Sequence, residues 1–389
     1  MLGMVLALAS SGCATVNLPK LGTESVVIQD DERRLFNRAK EIQEVLDRSD
    51  FIYKDKAIEE YLNAFIPKLL PRGVNASEIH FEVKVLADPA LNAFSFPNGR
   101  IYVHTGILAA AENDSQIATL LGHELTHVTH RHGVKGFRSL KNTTAWWDSV
   151  GLFTGGLGMI VSELAKVSSV SGFSQDLETE ADESGFEMIK NAGFDVTQSV
   201  AFFERLQQYN KDEKQPEPYF FSSHPKLLQR VRNFKRLIGE QSSVAPAAST
   251  PYGHYQKLFH ELIIKNLQLC LERGMFMTAE NQLARLFSVY PNDARLALIK
   301  GDLYRVRRDP QLKAKKRDKT EDYKIALTAY NDALAKDDTL VEALLGKGRV
   351  LHALGHKPEA LVCLNQYLQV KPDTKNKNLV EYLIKKVKE

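Results

Sequence analysis

The chain has 389 residues, 43% hydrophobic and 25% charged, with 51 Lys and Arg against 48 Asp and Glu and a formal net charge of +3. That length calls for two or three domains, and the composition excludes a disordered or collagen-like chain and a multi-spanning membrane protein. A charge this small excludes a dedicated nucleic-acid binder, so no nucleic-acid partner is expected. Three cysteines, Cys13, Cys270 and Cys363, with no Cys-x-x-Cys pair, leave no disulfide framework and no cysteine-based zinc site. Any bound metal must take histidine and carboxylate ligands.

In chain order, MLGMVLALASSGC (residues 1–13) reads as the tail of a bacterial lipoprotein signal, since about 20 apolar residues are needed to span a membrane. The mature chain would then start at a lipidated Cys13, a lipid anchor on a membrane; an ordinary cleaved signal or a buried N-terminus is the alternative. Ala14 in place of Asp after the cysteine resembles lipoproteins of the outer membrane. Residues 14–30 read as a tether.

Helical spacing of Leu35, Ala39, Ile42, Val45 and Leu46 predicts a helix over Asp31–Ser49, and a second covers about Lys56–Leu70. The period then changes to two. Phe81, Val83 and Val85 alternate with His80, Glu82 and Lys84 as in a half-buried strand, and Pro97-Asn98-Gly99 between Ala93–Phe96 and Arg100–His104 has the chemistry of a hairpin turn. A small antiparallel sheet is the expectation. Helical signals dominate from Ser115, and the Ser/Ala/Pro stretch at 241–253 reads as a linker between a domain at 31–240 and another at 254–389.

Past the linker the chain repeats. Gly274, Ala279, Leu283, Leu286 and Pro291 have the tetratricopeptide spacing, and Gly355, Ala360, Leu364, Tyr367 and Pro372 have it again. A middle unit contains Gly301, Tyr304, Ala326, Tyr330 and Ala333, interrupted by an insertion within the strongly basic stretch Arg305–Thr320, which reads as a solvated loop or an acidic-partner contact. Three helix pairs and a closing helix (Leu379–Val387) make a minimal solenoid with a concave groove, in which Cys270 and Cys363 are buried small apolar residues.

The chemistry concentrates in LLGHELTHVTHRHG. On a helix His123 and His127 lie one turn apart on the same face, so both imidazoles can reach one metal, while Glu124, about 100° round, can approach a water there as general base. Asn113-Asp114-Ser115 caps the helix, and Ile117, Leu121, Leu125 and Val128 form an apolar stripe opposite the histidine face, which also presents His130. A pair of His127 and His130 is the alternative, but it lacks a placed base. A catalytic zinc, one per chain, needs a third protein ligand. Glu178, in the ETEAD stretch on a helix running to Gly193, is the best candidate; Asp182 one turn on would then receive the second N–H of His123, and Gly185 would allow close packing. The other reading is a charged surface helix. Glu180 points about 200° from Glu178 and is the wrong residue for ligation.

Four ordered blocks, DPALNAFSFPNGRIYVHTGIL (88–108), GHELTHVTHRHG (122–133), ETEAD (178–182) and SSHPKLLQR (222–230), resemble the HtpX-like and CaaX-prenyl-protease-like zinc metallopeptidases, gluzincins with HExxH and a downstream Glu-x-Glu-Ala-Asp helix. The layout is most similar to the periplasmic BepA-like branch with C-terminal tetratricopeptide repeats. The resemblance implies an α+β, mostly α architecture, a gluzincin-type metallopeptidase domain with a small antiparallel sheet followed by an α-solenoid of tetratricopeptide repeats. It implies zinc on His123, His127 and Glu178, with Glu124 as base, and a substrate strand added to the sheet edge. Its implied role is a zinc endopeptidase of the cell envelope acting on unfolded or misassembled polypeptides, in the periplasm and lipid-anchored to the outer membrane, with the repeats engaging clients or the outer-membrane assembly machinery. Unlike the membrane-embedded relatives, Val150–Val161 is too short to span, and reads as a mobile helix or lid. His224 reads by spacing as a surface histidine before Pro225; the resemblance places it on a loop able to close over the zinc as a latch. Tyr219 or His224 is the candidate oxyanion donor. A zinc-loaded chaperone or adaptor scaffold with little proteolysis is the alternative function, and a helical interaction protein with a fortuitous HExxH is a third.

Overall fold

A computed structural model describes residues 18–23, 26–74, 79–140, 173–213, 227–240, 252–307 and 319–389. Cys13 and the signal remnant, Val150–Val161, Tyr219, His224, nearly all of the 241–253 stretch and most of the basic insertion lie outside the described residues.

The described residues are mostly helical with one small sheet. Helix α1 (Asp30–Asp47) is followed by α2 (Lys56–Asn63) and the short α3 (Ile66–Leu69). The single helix expected over Lys56–Leu70 is therefore broken. Pro67 has no N–H and its ring would meet the carbonyl of Asn63, so the chain stops at Asn63 and restarts with the proline in a first turn.

Three strands follow, β1 (Glu82–Leu86), β2 (Ala93–Ser95) and β3 (Arg100–His104), in spatial order β1-β3-β2. The hairpin forms as expected, with Phe94 opposite Tyr102, but β1 runs parallel to β3, with Val83 opposite Ile101. The sheet is thus mixed rather than antiparallel, because β3 returns between β1 and β2 instead of beside β2 on its far side. Both edges matter. On the outer side of β1 the Asn63 side chain accepts from Val83 N at 2.8 Å and donates to Val83 O at 3.0 Å, while Tyr53 N donates to Val85 O at 2.9 Å. That edge is closed, and β2 is the other edge strand.

Next come α4 (Thr105–Ala110), α5 (Asp114–Thr129), α6 (His132–Leu140), α7 (Gln175–Asn191), α8 (Thr197–Glu213) and α9 (Leu227–Gly239). Helix α5 is buried all round, from Ser115 to Thr129, between β2, α7 and α8. The expectation of one apolar face and one open histidine face fails here: packing on every side puts the polar residues inside too, where each must find a partner.

The C-terminal part is α10 (Tyr252–Glu272), α11 (Phe276–Val289), α12 (Ala294–Val306), α13 (Lys319–Lys336), α14 (Glu342–Ala353), α15 (Lys357–Val370) and α16 (Lys377–Lys388), each packed on its neighbour in sequence. Gly274 (φ 71°) and Gly355 (φ 86°) end α10 and α14 with the same turn: Met275 N donates to Cys270 O at 2.8 Å, and His356 N to Leu351 O at 2.9 Å. The left-handed glycine lets each helix close its last carbonyls and reverse. The Tyr330 ring sits against Gly301 and Gly346, where a Cβ would lie 2.5 and 2.3 Å from ring atoms. Cys270 and Cys363 are buried and free.

Two organisational expectations need correction. Part of the 14–30 tether is packed: Leu21 N donates to Thr129 O at 2.8 Å, and Leu21, Val26 and Ile28 join Phe36, Ile79 and Val128 in a small core. The division at 241–253 is also not a division of the core. Helix α10 already starts at Tyr252, and one apolar cluster runs from Ile58 through Leu125 and Phe203 to Tyr255, Leu262 and Leu303. Tyr255 Oη donates to Leu108 O at 3.0 Å, and Arg273 holds both oxygens of Asp88 at 3.0 and 2.8 Å. The Ser/Ala/Pro composition does not mark a boundary of the core, and the apolar periodicity after it does not reveal that α10 uses its face on the preceding helices. Among the described residues no helix is long and apolar enough to cross a membrane.

Candidate metal centre

Two helices make the site. Asn113 caps α5, its side chain accepting from Gln116 N at 3.1 Å, and Ser174 caps α7, accepting from Leu177 N at 3.4 Å. They cross where two glycines meet. A Cβ on Gly185 would lie 3.1 Å from Gly122 C and from His123 N, so the absence of both side chains lets the backbones approach and puts the two motifs side by side.

At that crossing His123 Nε2 and His127 Nε2 are 3.0 Å apart, and Glu178 brings Oε2 to 3.5 Å from His123 Nε2 and Oε1 to 3.5 Å from His127 Nε2. All three residues are buried, and among the described residues they form the one group of three such donors able to share an ion. Ligands of a tetrahedral zinc with bonds of 2.0–2.2 Å stand about 3.3–3.6 Å apart, so the three donor separations fit that ion to within a few tenths of an ångström. Electrostatics agree with a cation site. Burial raises the Glu178 carboxyl above its ordinary value, and a cation among the three donors would offset this. Two imidazoles and one carboxylate leave a fourth position for water or substrate.

Glu124 is buried on α5, about 100° round from His123 and about 60° from His127. Asp182 Oδ1 lies 3.1 Å from His123 Nδ1. His130 turns elsewhere: its Nε2 is 3.2 Å from Ser184 Oγ and its Nδ1 3.2 Å from Thr129 Oγ1, so it does not join His127 as a donor pair. Glu180 also points away, to His132, Lys20 and Lys135.

Sequence reasoning missed Arg230. It stands on α9, 1% exposed, with Nε 3.0 Å and a terminal nitrogen 2.8 Å from Asp182 Oδ1, and its guanidinium covers the Phe203 ring at 4.3 Å. Asn233 donates to the other Asp182 oxygen at 3.4 Å. Burial by itself raises the Asp182 carboxyl, but the Arg230 charge and the His123 contact bring it down to about 2, so it is ionised. The only available signal was an arginine on the apolar side of an amphipathic helix.

Residues 54–238 match the model of Peptidase family M48, so this part of the chain is similar to that family's domain. The chain is 28% identical over 227 residues to "Metalloendopeptidase OMA1, mitochondrial" of Bos taurus, covering 54% of this chain and 43% of that protein. It is 26% identical over 213 residues to "Beta-barrel assembly-enhancing protease" of Escherichia coli O157:H7, covering 52% and 43%. "Metalloprotease YcaL" of Escherichia coli K12 is 27% identical over 179 residues, covering 45% and 68%. The match thus spans less than half the length of the first two relatives. A solved structure, "TPR2AB-domain:pHSP90-complex of yeast Sti1", covers 71% of this chain and 97% of its own at 12% identity, with a TM-score of 0.27 that carries no weight.

Proposed function

We propose that this chain is a zinc-dependent endopeptidase of the bacterial cell envelope that acts on unfolded or misassembled proteins. The observation that carries the reading is the convergence of His123 Nε2, His127 Nε2 and the Glu178 carboxylate from two helices locked at Gly122 and Gly185. His123, His127 and Glu178 would hold the zinc ion, which would supply Lewis acidity to a peptide carbonyl and to water. Glu124 takes the proton from the attacking water and delivers it to the leaving amine. Asp182, fixed by Arg230, holds His123 by its Nδ1 side.

An extended peptide would add to the sheet on the β2 side, since Asn63 and Tyr53 occupy the β1 edge; the packing of β2 beside α5 supports a strand near the histidines. This requires a substrate segment free of its own structure, hence unfolded clients. The helical pairs α10–α16 are read as a tetratricopeptide solenoid on which clients or the outer-membrane assembly machinery dock, supported by the repeated Gly274 and Gly355 turns. Periplasmic location with a lipid anchor at Cys13, and a latch by His224, complete the reading.

The test is Glu124→Gln against Glu178→Ala. Glu124→Gln should retain about one zinc per chain and lose about 10²- to 10⁴-fold in hydrolysis of an unfolded protein; Glu178→Ala should lose most of the metal. Undiminished turnover in Glu124→Gln rejects the base assignment. A wild-type protein that binds zinc and unfolded chains without cutting them is a chaperone or adaptor instead.

A further inference from the structure

Glu180 points away from the three donors, yet it is connected to one of them. His127 offers Nε2 to the donor group, which leaves Nδ1 facing His132 Nδ1 at 2.9 Å. At that distance one nitrogen must donate and the other accept. The other nitrogen of His132, Nε2, lies 3.2 Å from Glu180 Oε2. An ionised carboxylate only accepts, so His132 carries its proton on Nε2 and presents a bare Nδ1. That bare nitrogen accepts from His127 Nδ1–H, which leaves the lone pair of His127 on Nε2, directed at His123 and Glu178. The tautomer of the ligand is set from two residues away.

The surroundings of the carboxylate agree: Lys20 Nζ lies 2.9 Å from one Glu180 oxygen and Lys135 Nζ 3.7 Å from the other. The backbone is shaped for this contact. Arg131 adopts φ 57°, a left-handed conformation rare outside glycine, and is tied down by the buried Glu32 and by Pro19 O. The chain therefore reverses after Thr129 and returns His132 to the Nδ1 edge of His127, whose own face is stacked on Phe173 at 4.1 Å.

We propose that His132 and Glu180 are positioning residues for the metal, a carboxylate–imidazole relay that keeps His127 protonated on Nδ1 and its Nε2 free for the ion. The inference rests on the zinc reading above. It gives each acid of the ETEAD stretch a place around one ion: Glu178 among the donors, Asp182 behind His123, and Glu180, through His132, behind His127.

The experiment measures the zinc dissociation constant of the full chain by competition with a chromophoric chelator, alongside thermal unfolding of the metal-free protein. His132→Phe and Glu180→Ala should each weaken zinc by about 10- to 100-fold, as changes behind a metal ligand do, while Glu180→Gln, which keeps an acceptor oxygen, retains most of the affinity. A purely structural role would lower the metal-free melting temperature and leave the affinity of the folded protein unchanged. Histidine nitrogen NMR of the zinc-loaded wild type needs no variant: His127 should be protonated on Nδ1 and His132 on Nε2. Wild-type affinity in both variants, or His132 protonated on Nδ1, overturns the relay alone. Absence of zinc binding by the wild type overturns the relay and the metal reading together.

Discussion

Arg230 and Asp182 form a buried ion pair at 2.8 Å between α9 and α7, and Asp182 faces His123 from 3.1 Å on the same oxygen. One carboxylate oxygen thus joins a third helix to the imidazole of the proposed metal ligand. The pair has few ways to relax, because Phe203 covers the guanidinium and both side chains are buried.

Arg230→Met should leave Asp182 charged and buried with, among the described residues, Asn233 and His123 beside it, at a cost of about 3–5 kcal/mol measured by denaturant unfolding. The double variant Arg230→Met/Asp182→Leu removes both charges and should recover most of that stability. It should not recover zinc affinity, because the Asp182 carboxylate no longer faces His123 Nδ1. Equal stability of the single and double variants would mean that Arg230 contributes packing alone.

Gly185→Ala tests the helix crossing. The new methyl would meet backbone atoms of Gly122 and His123 at 3.1 Å, which cannot swing aside as a side chain can. Helix α7 must move away from α5, and Glu178 moves with it. The expected result is a loss of about 1–3 kcal/mol together with weaker zinc binding; unchanged zinc affinity would show that the three donors tolerate a wider crossing.

Asp88 gives a pH prediction. Burial raises its carboxyl, but His104 and then Arg273 depress it well below the usual carboxylate range. A depressed folded value means that the stabilisation is full above the unfolded value, about 3.9, and is lost as the pH falls below it. Arg273→Ala should therefore shift the acid-unfolding midpoint to higher pH. At neutral pH it should cost about 1 kcal/mol, since Arg273 is 49% exposed and water screens the pair. Since Arg273 is on α10 and Asp88 is in the loop before β2, an unchanged acid midpoint would show that this contact does not fasten the C-terminal helices to the sheet.

What could be read from the sequence was local. The i, i+4 spacing of His123 and His127, the ETEAD spacing, the cap at Asn113, the β2–β3 hairpin and the repeated glycines at 274 and 355 each follow from backbone geometry over a few residues, where chain connectivity fixes the distance. The choice of Gly185 for close packing was legible for the same reason: a glycine inside a helix needs a neighbour's backbone to explain it.

Contacts between distant residues were decided by the tertiary structure. Arg230 reaches Asp182 across 48 residues, Asn63 occupies the β1 edge from 20 residues away, and Asn266 meets Thr105 at a separation of 161. None of these leaves a periodic trace, because a single buried polar side chain is satisfied by one partner wherever the fold brings it. The same holds for the parallel pairing of β1 with β3, which depends on which strand enters the sheet between the others, and for α10, whose apolar face would fit a solenoid neighbour as well as the helices it covers. His132 lies only five residues from His127, yet its contact also depends on distant chain: the left-handed turn at Arg131 is held by Glu32, 99 residues away. The sequence determined which helices carry the candidate donor residues; the fold decided which side chains hold them in place, since a histidine buried on α5 takes its partners from other elements, as His123 does from Asp182 and His130 from Ser184.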